Sequence, residues 1–271
     1  MLTGCAGLML HERDVIFENQ YQILGIQEFQ PNQTEQAGII LRLNPAPAGL
    51  RKAREEDLIY VGIQDKRGKE LKLIENQTET FKPGSRTDSY IDSTQTTFEG
   101  QSGRLNDELE VTTRGEIVRF IRGDHKSKLG NFRIVAWKRT PALPEGPVKI
   151  GDTWSYEETM DVRLDSWLAK EKDPQPYKIK ATCALTGFAL VKGKRAAVLK
   201  IHATQKKHEI LKILFKELAM DVNMDIDETD YLDYASGATL AKIARTRSVS
   251  SAPDYGYQDE EQGQSVFYAD R

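Results

Sequence analysis

Alternation of apolar and polar residues, broken at short intervals by glycine turns, constrains this chain more than any other feature. Tyr177, Ile179, Ala181, Cys183 and Leu185 alternate with Lys178, Lys180, Thr182 and Ala184. Every second residue of a strand returns to the same face, so this spacing predicts a half-buried strand with Cys183 as a buried structural thiol. Ala197, Leu199, Ile201 and Ala203 repeat the pattern against Lys200 and His202, and Val191-Lys192-Gly193-Lys194 between the two runs predicts a tight hairpin. The same reading applies to Leu58–Ile63 and Leu71–Ile74 around the turn Asp65-Lys66-Arg67-Gly68. Strands are further expected near Leu109 and Val111, over Ile117–Ile121 and Phe132–Trp137, and at Tyr231–Tyr234 and Leu240–Ile243. Gly237 supplies the positive φ needed by the turn between the last two.

Helical signal is thin. Ile210, Leu211, Leu214 and Leu218 fit one face of a helix over residues 205–218 and equally a continued strand, and a short helix is expected near Leu50–Asp57. The fold class expected is therefore mainly β: a large curved antiparallel sheet or half-barrel, in one piece or as two similar halves, with little helix. Residues 1–12 read as an N-terminal tether, 13–140 as a first β half and 141–250 as a second. The joint falls at Thr140-Pro141-Ala142-Leu143-Pro144-Glu145-Gly146-Pro147, which has too much proline for a central strand. Residues 251–271, with the run Asp259-Glu260-Glu261-Gln262-Gly263-Gln264, read as a polar, disordered tail.

Composition excludes several classes. At 271 residues with 39% hydrophobic content the chain can bury a sizeable core. No run approaches the roughly 20 apolar residues of a membrane-spanning helix. A net charge of −3 leaves no basic footprint for nucleic acid, and two cysteines exclude a disulfide scaffold.

Leu2-Thr3-Gly4-Cys5 places an aliphatic and two small residues before a cysteine. The pattern resembles the acylation site of bacterial lipoproteins, which implies a lipid on Cys5 and attachment to a membrane of the cell envelope, on its periplasmic or outer-membrane face. A secretory signal needs an apolar stretch of about 7 to 15 residues before such a site. Only Met1 to Gly4 precede Cys5 here, so the start is expected to be assigned too far downstream.

Candidate chemistry is sparse. Asp221-Val222-Asn223-Met224-Asp225 opens like a calcium loop, but Ile226 and Leu232 replace the glycine and glutamate the loop requires. Met220, Val222, Met224 and Ile226 instead form one face of a strand and Asp221, Asn223, Asp225 and Asp227 a solvated one. At most a loose divalent-ion site at Asp221, Asp225 and Asp227 is expected, and no cofactor. His202 and His208 are expected to be exposed. Arg122-Gly123-Asp124 is expected in a turn. No nucleophile elbow, P-loop or Rossmann glycine pattern occurs, and 41 acidic residues are too many to choose a glycosidase pair from.

The segment Pro144-Glu145-Gly146-Pro147-Val148-Lys149-Ile150-Gly151-Asp152-Thr153-Trp154, followed later by Tyr231-Leu232-Asp233-Tyr234-Ala235-Ser236-Gly237, resembles bacterial secreted and lipid-anchored β-proteins of uncharacterised function. Those are similar in outline to the lipoprotein carrier and receptor superfamily, whose curved sheet holds acyl chains on its concave face. The resemblance implies a cavity, with Trp137, Trp154, Ile179, Leu199 and Ile201 as candidate lining. Residue by residue, Gly151 reads as a turn glycine and Trp154 as a core aromatic.

The function expected is a non-catalytic envelope lipoprotein that binds a hydrophobic or lipid-like ligand and reaches the membrane through Cys5. The alternatives are an envelope scaffold docking a protein partner through edge strands or the acidic tail, and a hydrolase with unlocated carboxylates. A hydrolase requires a polar cleft with two carboxyl groups of perturbed pKa.

Overall fold

The hairpin at Val191–Lys194 forms as its sequence dictates. Lys192 and Gly193 both take positive φ, 49° and 80°, the twist that matches two-residue turns to the coil of the strands they join. Gly237 (φ 75°) does the same near residue 235, where the Asp233 side chain accepts from the backbone of Ala235 and Ser236. Repeated along the chain, such turns produce a meander. The computed structural model describes residues 24–43, 50–63, 69–98, 104–127, 130–140, 142–165, 169–172, 174–213 and 216–269.

The strands are β1 (Ile26–Glu28), β2 (Leu50–Ile63), β3 (Lys69–Pro83), β4 (Ser89–Phe98), β5 (Arg104–Thr112), β6 (Ile117–Ser127) and β7 (Gly130–Arg139). They continue with β8 (Thr153–Asp165), β9 (Ala169–Glu171), β10 (Tyr177–Val191), β11 (Lys194–Ile213), β12 (Lys216–Asp233), β13 (Ala238–Ala252) and β14 (Tyr257–Ala269). Each pairs antiparallel with its neighbour in the order β10-β8-β7-β6-β5-β4-β3-β2-β14-β13-β12-β11, and β11 pairs again with β10. The ring closes into an up-and-down barrel, with short β1 and β9 added beside β10 and β11. The expected antiparallel sheet is thus present and carried through to closure. Eight strands enclose just enough space for side chains; the larger ring here leaves a lumen.

Four expectations are corrected. The disordered tail expected over 251–271 is overturned for residues 251–269, because Tyr257–Ala269 forms β14, paired on both sides. A segment too polar to build a core still folds when two neighbours offer a complete hydrogen-bond ladder. Residues 50–57 are strand, not helix, and of the two readings open for residues 205–218 the strand holds over 205–213. Residues 140–147 do not divide two halves, since β7 and β8 pair directly across this loop from Asn131↔Asp165 to Arg139↔Glu158. Arg122-Gly123-Asp124 lies within β6, not in a turn. The turn at residues 65–68 and Cys5 lie outside the described residues.

One end of the barrel is capped. Residues 29–43 cross it, carrying the one-turn helix α1 (Gln33–Ala37), which opens with a capping box between Asn32 and Glu35. Ile39 pairs with Val148 of the proline-rich loop. Ile39, Leu41, Leu143 and Val148 of these two segments bury against Leu185, Phe188, Leu199 and Leu232 of the barrel wall. Buried Glu35 accepts from the Tyr234 hydroxyl and Arg195, tying α1 to the wall. Arg42 donates to the Pro144 and Glu145 carbonyls. On the outer wall Leu24, 1% exposed, covers an apolar patch that includes Tyr231, Ile243 and Val266.

Glu110 anchors the turn between β3 and β4. Its carboxylate accepts from the Ser85 amide and hydroxyl, the Ser89 hydroxyl and Arg119. The Ser85 and Ser89 donors bring its pKa down from 4.5 to about 2. A depressed carboxylate contributes stability above its unfolded pKa and loses it as pH falls through the folded value. Glu110→Gln is therefore expected to melt lower than wild type at pH 7, with the gap closing between pH 4.5 and about 2; a pH-independent gap in thermal melts would contradict the assignment.

Candidate functional site

Inward and outward faces follow from the alternation. In β11 and β12, Lys200, His202, Lys206 and His208 and then Asp221, Asp225 and Asp227 point out, whereas Leu199, Ile201, Ala203 and Ile226 point in. The outer wall described here is hydrated and charged, unlike the apolar band of a lipid-facing barrel. No helix among the described residues is long and apolar enough to cross a membrane.

Beneath the cap, side chains from β3, β4, β12, β13 and β14 converge on a cavity of 330 Å³. Residues of β4 and β12, far apart around the ring, share it, which places it inside the lumen. Its apolar surface comes from Leu43 of the cap, Phe81, Tyr90 and Phe267. Its charged surface comes from Glu79 and Asp92 on one side and Glu228 and Lys242 on the other.

Behind Glu228 lies Asp230, the next inward position of β12. Lys242 Nζ stands 3.6 Å from Glu228 Oε1 and 3.6 Å from Asp230 Oδ2. Burial pushes Asp230 well above its ordinary pKa, and neighbouring Glu228 adds to the shift against the pull of Lys242. Burial opposes ionisation of Glu228 as well, but Lys242 and a hydrogen bond from Asp230 outweigh it and hold Glu228 below the usual value. The pair therefore shares one negative charge, with the proton on Asp230. Asp230 Oδ1 is buried without a hydrogen-bond partner.

Further around the inner wall, buried Glu158 accepts from the Trp137 indole (2.9 Å) and Arg139 Nε (2.7 Å). Burial draws the Arg139 pKa down, but Glu158 outweighs it and the group stays charged. Burial drives the nearby Cys183 thiol up to about 12, so it is inert as a nucleophile. Towards the other end, Lys207, 4% exposed, lies 2.9 Å from both Glu171 and Glu209 and 3.6 Å from the Tyr177 ring centroid. Burial disfavours its charge, yet the two carboxylates raise its pKa overall; an ammonium so held is a structural cation, not an amine nucleophile.

A larger concavity, 780 Å³, lies on the outer wall over Thr182, Lys200, His202, Asp227 and Arg245. His202 Nδ1 meets Asp227 Oδ1 at 2.9 Å, but the two side chains are 58% and 74% exposed. Water screens such a pair. The inner cavity, which joins aromatic walls to inward-facing charges from both sides of the ring, is the stronger candidate site despite its smaller volume.

All five residues expected to line a cavity share the inner face, yet none borders the inner cavity. Trp154 belongs to the cap core, its indole donating to the Ala142 carbonyl, and Leu199 is buried beside it. Trp137 is spent on Glu158, and Ile179 and Ile201 lie further along β10 and β11. Asp221 and Asp227 meet His208 and His202 on the outer wall, where Asp225 faces Thr204 and Arg247. No cluster of three or more metal-ligating side chains occurs among the described residues.

Glu228, Asp230 and Lys242 went unread in the sequence, although a signal existed. Glu228 and Asp230 continue the parity of Met220, Val222, Met224 and Ile226, so an apolar face turns acidic without a register change. Glu79, Asp92, Phe81 and Tyr90 carried no comparable pattern. Comparison with protein-family profiles, curated proteins and solved structures gave no match to this chain.

A group with a raised folded pKa holds a proton that the unfolded chain releases, so its contribution to stability falls as pH rises from its unfolded value. For Asp230 that decline starts near 3.8. Asp230→Asn keeps a donor towards Glu228 and removes the ionisation. It is expected to gain stability over wild type progressively above pH 4, read as a Tm difference that widens to pH 8; a difference that shrinks with pH would reject the protonated assignment.

Proposed function

We propose that this protein is a non-catalytic binding protein that holds a small amphiphilic molecule inside a capped barrel. One observation carries the reading: the lumen beneath the cap contains a cavity with aromatic walls and inward charges contributed from both sides of the ring. Cavities of this size, apolar with a few convergent polar groups, are the usual form of small-ligand sites. The mixed lining fits a ligand with a polar head better than a bare acyl chain.

Two features weigh against the alternatives. Glu228 and Asp230 are the perturbed carboxyl pair that a hydrolase requires, but they share a hydrogen bond. Glycosidases separate theirs by about 5 Å or more, and a carboxylate of lowered pKa is a weak general base. For a scaffold role, the acidic segment 259–264 is sequestered in the ring, so it offers no free tail for docking. Among the described residues, closure also leaves only the short β1 and β9 as open edges.

Attachment to the envelope membrane rests on Leu2-Thr3-Gly4-Cys5. Metabolic labelling with palmitate, with the gene expressed from its own locus so that its upstream reading frame is included, is expected to mark the wild-type chain and not Cys5→Ala; equal labelling of both, or of neither, removes the anchor.

Binding is tested by filling the cavity. Thr239 lies on its wall, and Thr239→Trp is expected to weaken binding of a neutral fluorescent dye at least about tenfold, at a stability cost of roughly 1–3 kcal/mol for overpacking. Native mass spectrometry of gently purified wild type should show a bound mass that this variant lacks. Unchanged dye binding in a folded variant would place the site elsewhere.

A further inference from the structure

We infer that Lys242 and Asp230 condense into an intramolecular amide bond that staples β12 to β13, with Glu228 relaying the proton. This modification does not rest on what the lumen binds. Asp230 and Lys242 are direct partners on the two strands, and opposite positions bring Cβ atoms to about 5 Å, within the span of the joined side chains. Lys242 Nζ stands 3.6 Å from Asp230 Oδ2 and 3.6 Å from Glu228 Oε1. Glu228 in turn shares a hydrogen bond with Asp230. Nucleophile, electrophile and proton acceptor therefore lie within reach of one another.

A carboxylate resists attack by an amine, because its charge repels the incoming electron pair and no good leaving group is present. A protonated carboxyl lacks that defence, and a hydrogen bond between two carboxyl groups requires one of them to keep its proton. Burial assigns that proton to Asp230. Lys242 begins as an ammonium and gives one proton to Glu228, from which it passes to solvent. The freed amine attacks Asp230 Cγ. Its second proton crosses through Glu228 to the Asp230 hydroxyl, the C–O bond breaks and water leaves. The products are one amide, one water and one proton, and no oxidant or reductant is consumed. Glu228, with its lowered pKa, is a slow base, but the bond forms once per chain and need not turn over. Fixed opposite each other, acid and amine react at an effective concentration of about 10⁵ M or more, which favours condensation even in water. Titration of Asp230, and the melts that report it, belong to chain in which the bond has not formed.

The test is the mass of the full recombinant chain, denatured, taken fresh and after days at neutral pH. The bonded chain is expected to weigh one water less than its sequence requires. Chymotrypsin cuts after Tyr231 and Tyr234, between the two positions, so the bond joins the Asp230 and Lys242 fragments into one branched peptide that tandem mass spectrometry identifies. Lys242→Arg and Glu228→Gln, each checked for folding by thermal melt, are expected to restore the full mass and separate the fragments. Full mass and separate fragments from wild type at both times overturn the bond. A deficit that survives in Lys242→Arg overturns it as well, and one that survives in Glu228→Gln removes Glu228 as the relay.

Discussion

The pairing of β14 with β2, running from Asp259↔Ile63 to Ala269↔Ala53, is the contact on which the rest of the structure depends. Every other pair around the ring joins strands that follow one another in the chain, apart from β10–β8, between which only the short β9 intervenes, and hairpins of that kind form locally. The β14–β2 seam joins residues 196 to 216 positions apart, so its loop-closure entropy is met only after the intervening strands are in place. Without it the sheet would present two long unpaired edges, a template for association. With it, the backbone of a polar segment is satisfied on both sides and the concave face becomes an enclosed lumen.

Enclosure changes what a charge means. The outward pairs His202–Asp227 and His208–Asp221 stand in water and contribute little. The same residue types facing inward are compelled into partnerships: Arg139 with Glu158, Lys207 with Glu171 and Glu209, Lys242 with Glu228 and Asp230. Where two carboxyl groups meet one ammonium, the low dielectric leaves one of them protonated. A ring of this width holds such groups because its lumen is too large for apolar side chains alone to fill. The result is an inner surface with both charge and aromatic area, suited to an amphiphile.

The cap completes the enclosure and explains the most distinctive stretch of the chain. In Pro144–Trp154, Val148 pairs with Ile39, Gly151 takes φ 94° in the turn that leads into β8, and the Trp154 indole closes back on Ala142. Val148, Gly151 and Trp154 hold this loop over the barrel mouth, and none of the three borders the inner cavity. The most distinctive segment of the sequence is thus part of the cap, while most groups facing the cavity sit on strands of no distinctive sequence.

By itself the sequence determined the β class, the hairpins at Lys192-Gly193 and Gly237, the buried Cys183 and the two faces of β12. All of these follow from period-2 alternation and from turn residues that tolerate positive φ, which act within a few positions of one another. Only the tertiary structure decided that the sheet closes, that residues 257–269 are its last strand, and that residues 140–147 cap it instead of dividing it. Those outcomes depend on which distant strands become neighbours, and alternation is silent about partners. The inner charged site belongs to the second group for the same reason. Glu79, Asp92, Glu228 and Lys242 are ordinary surface residues in the sequence, and only curvature carries the face they occupy to the inside.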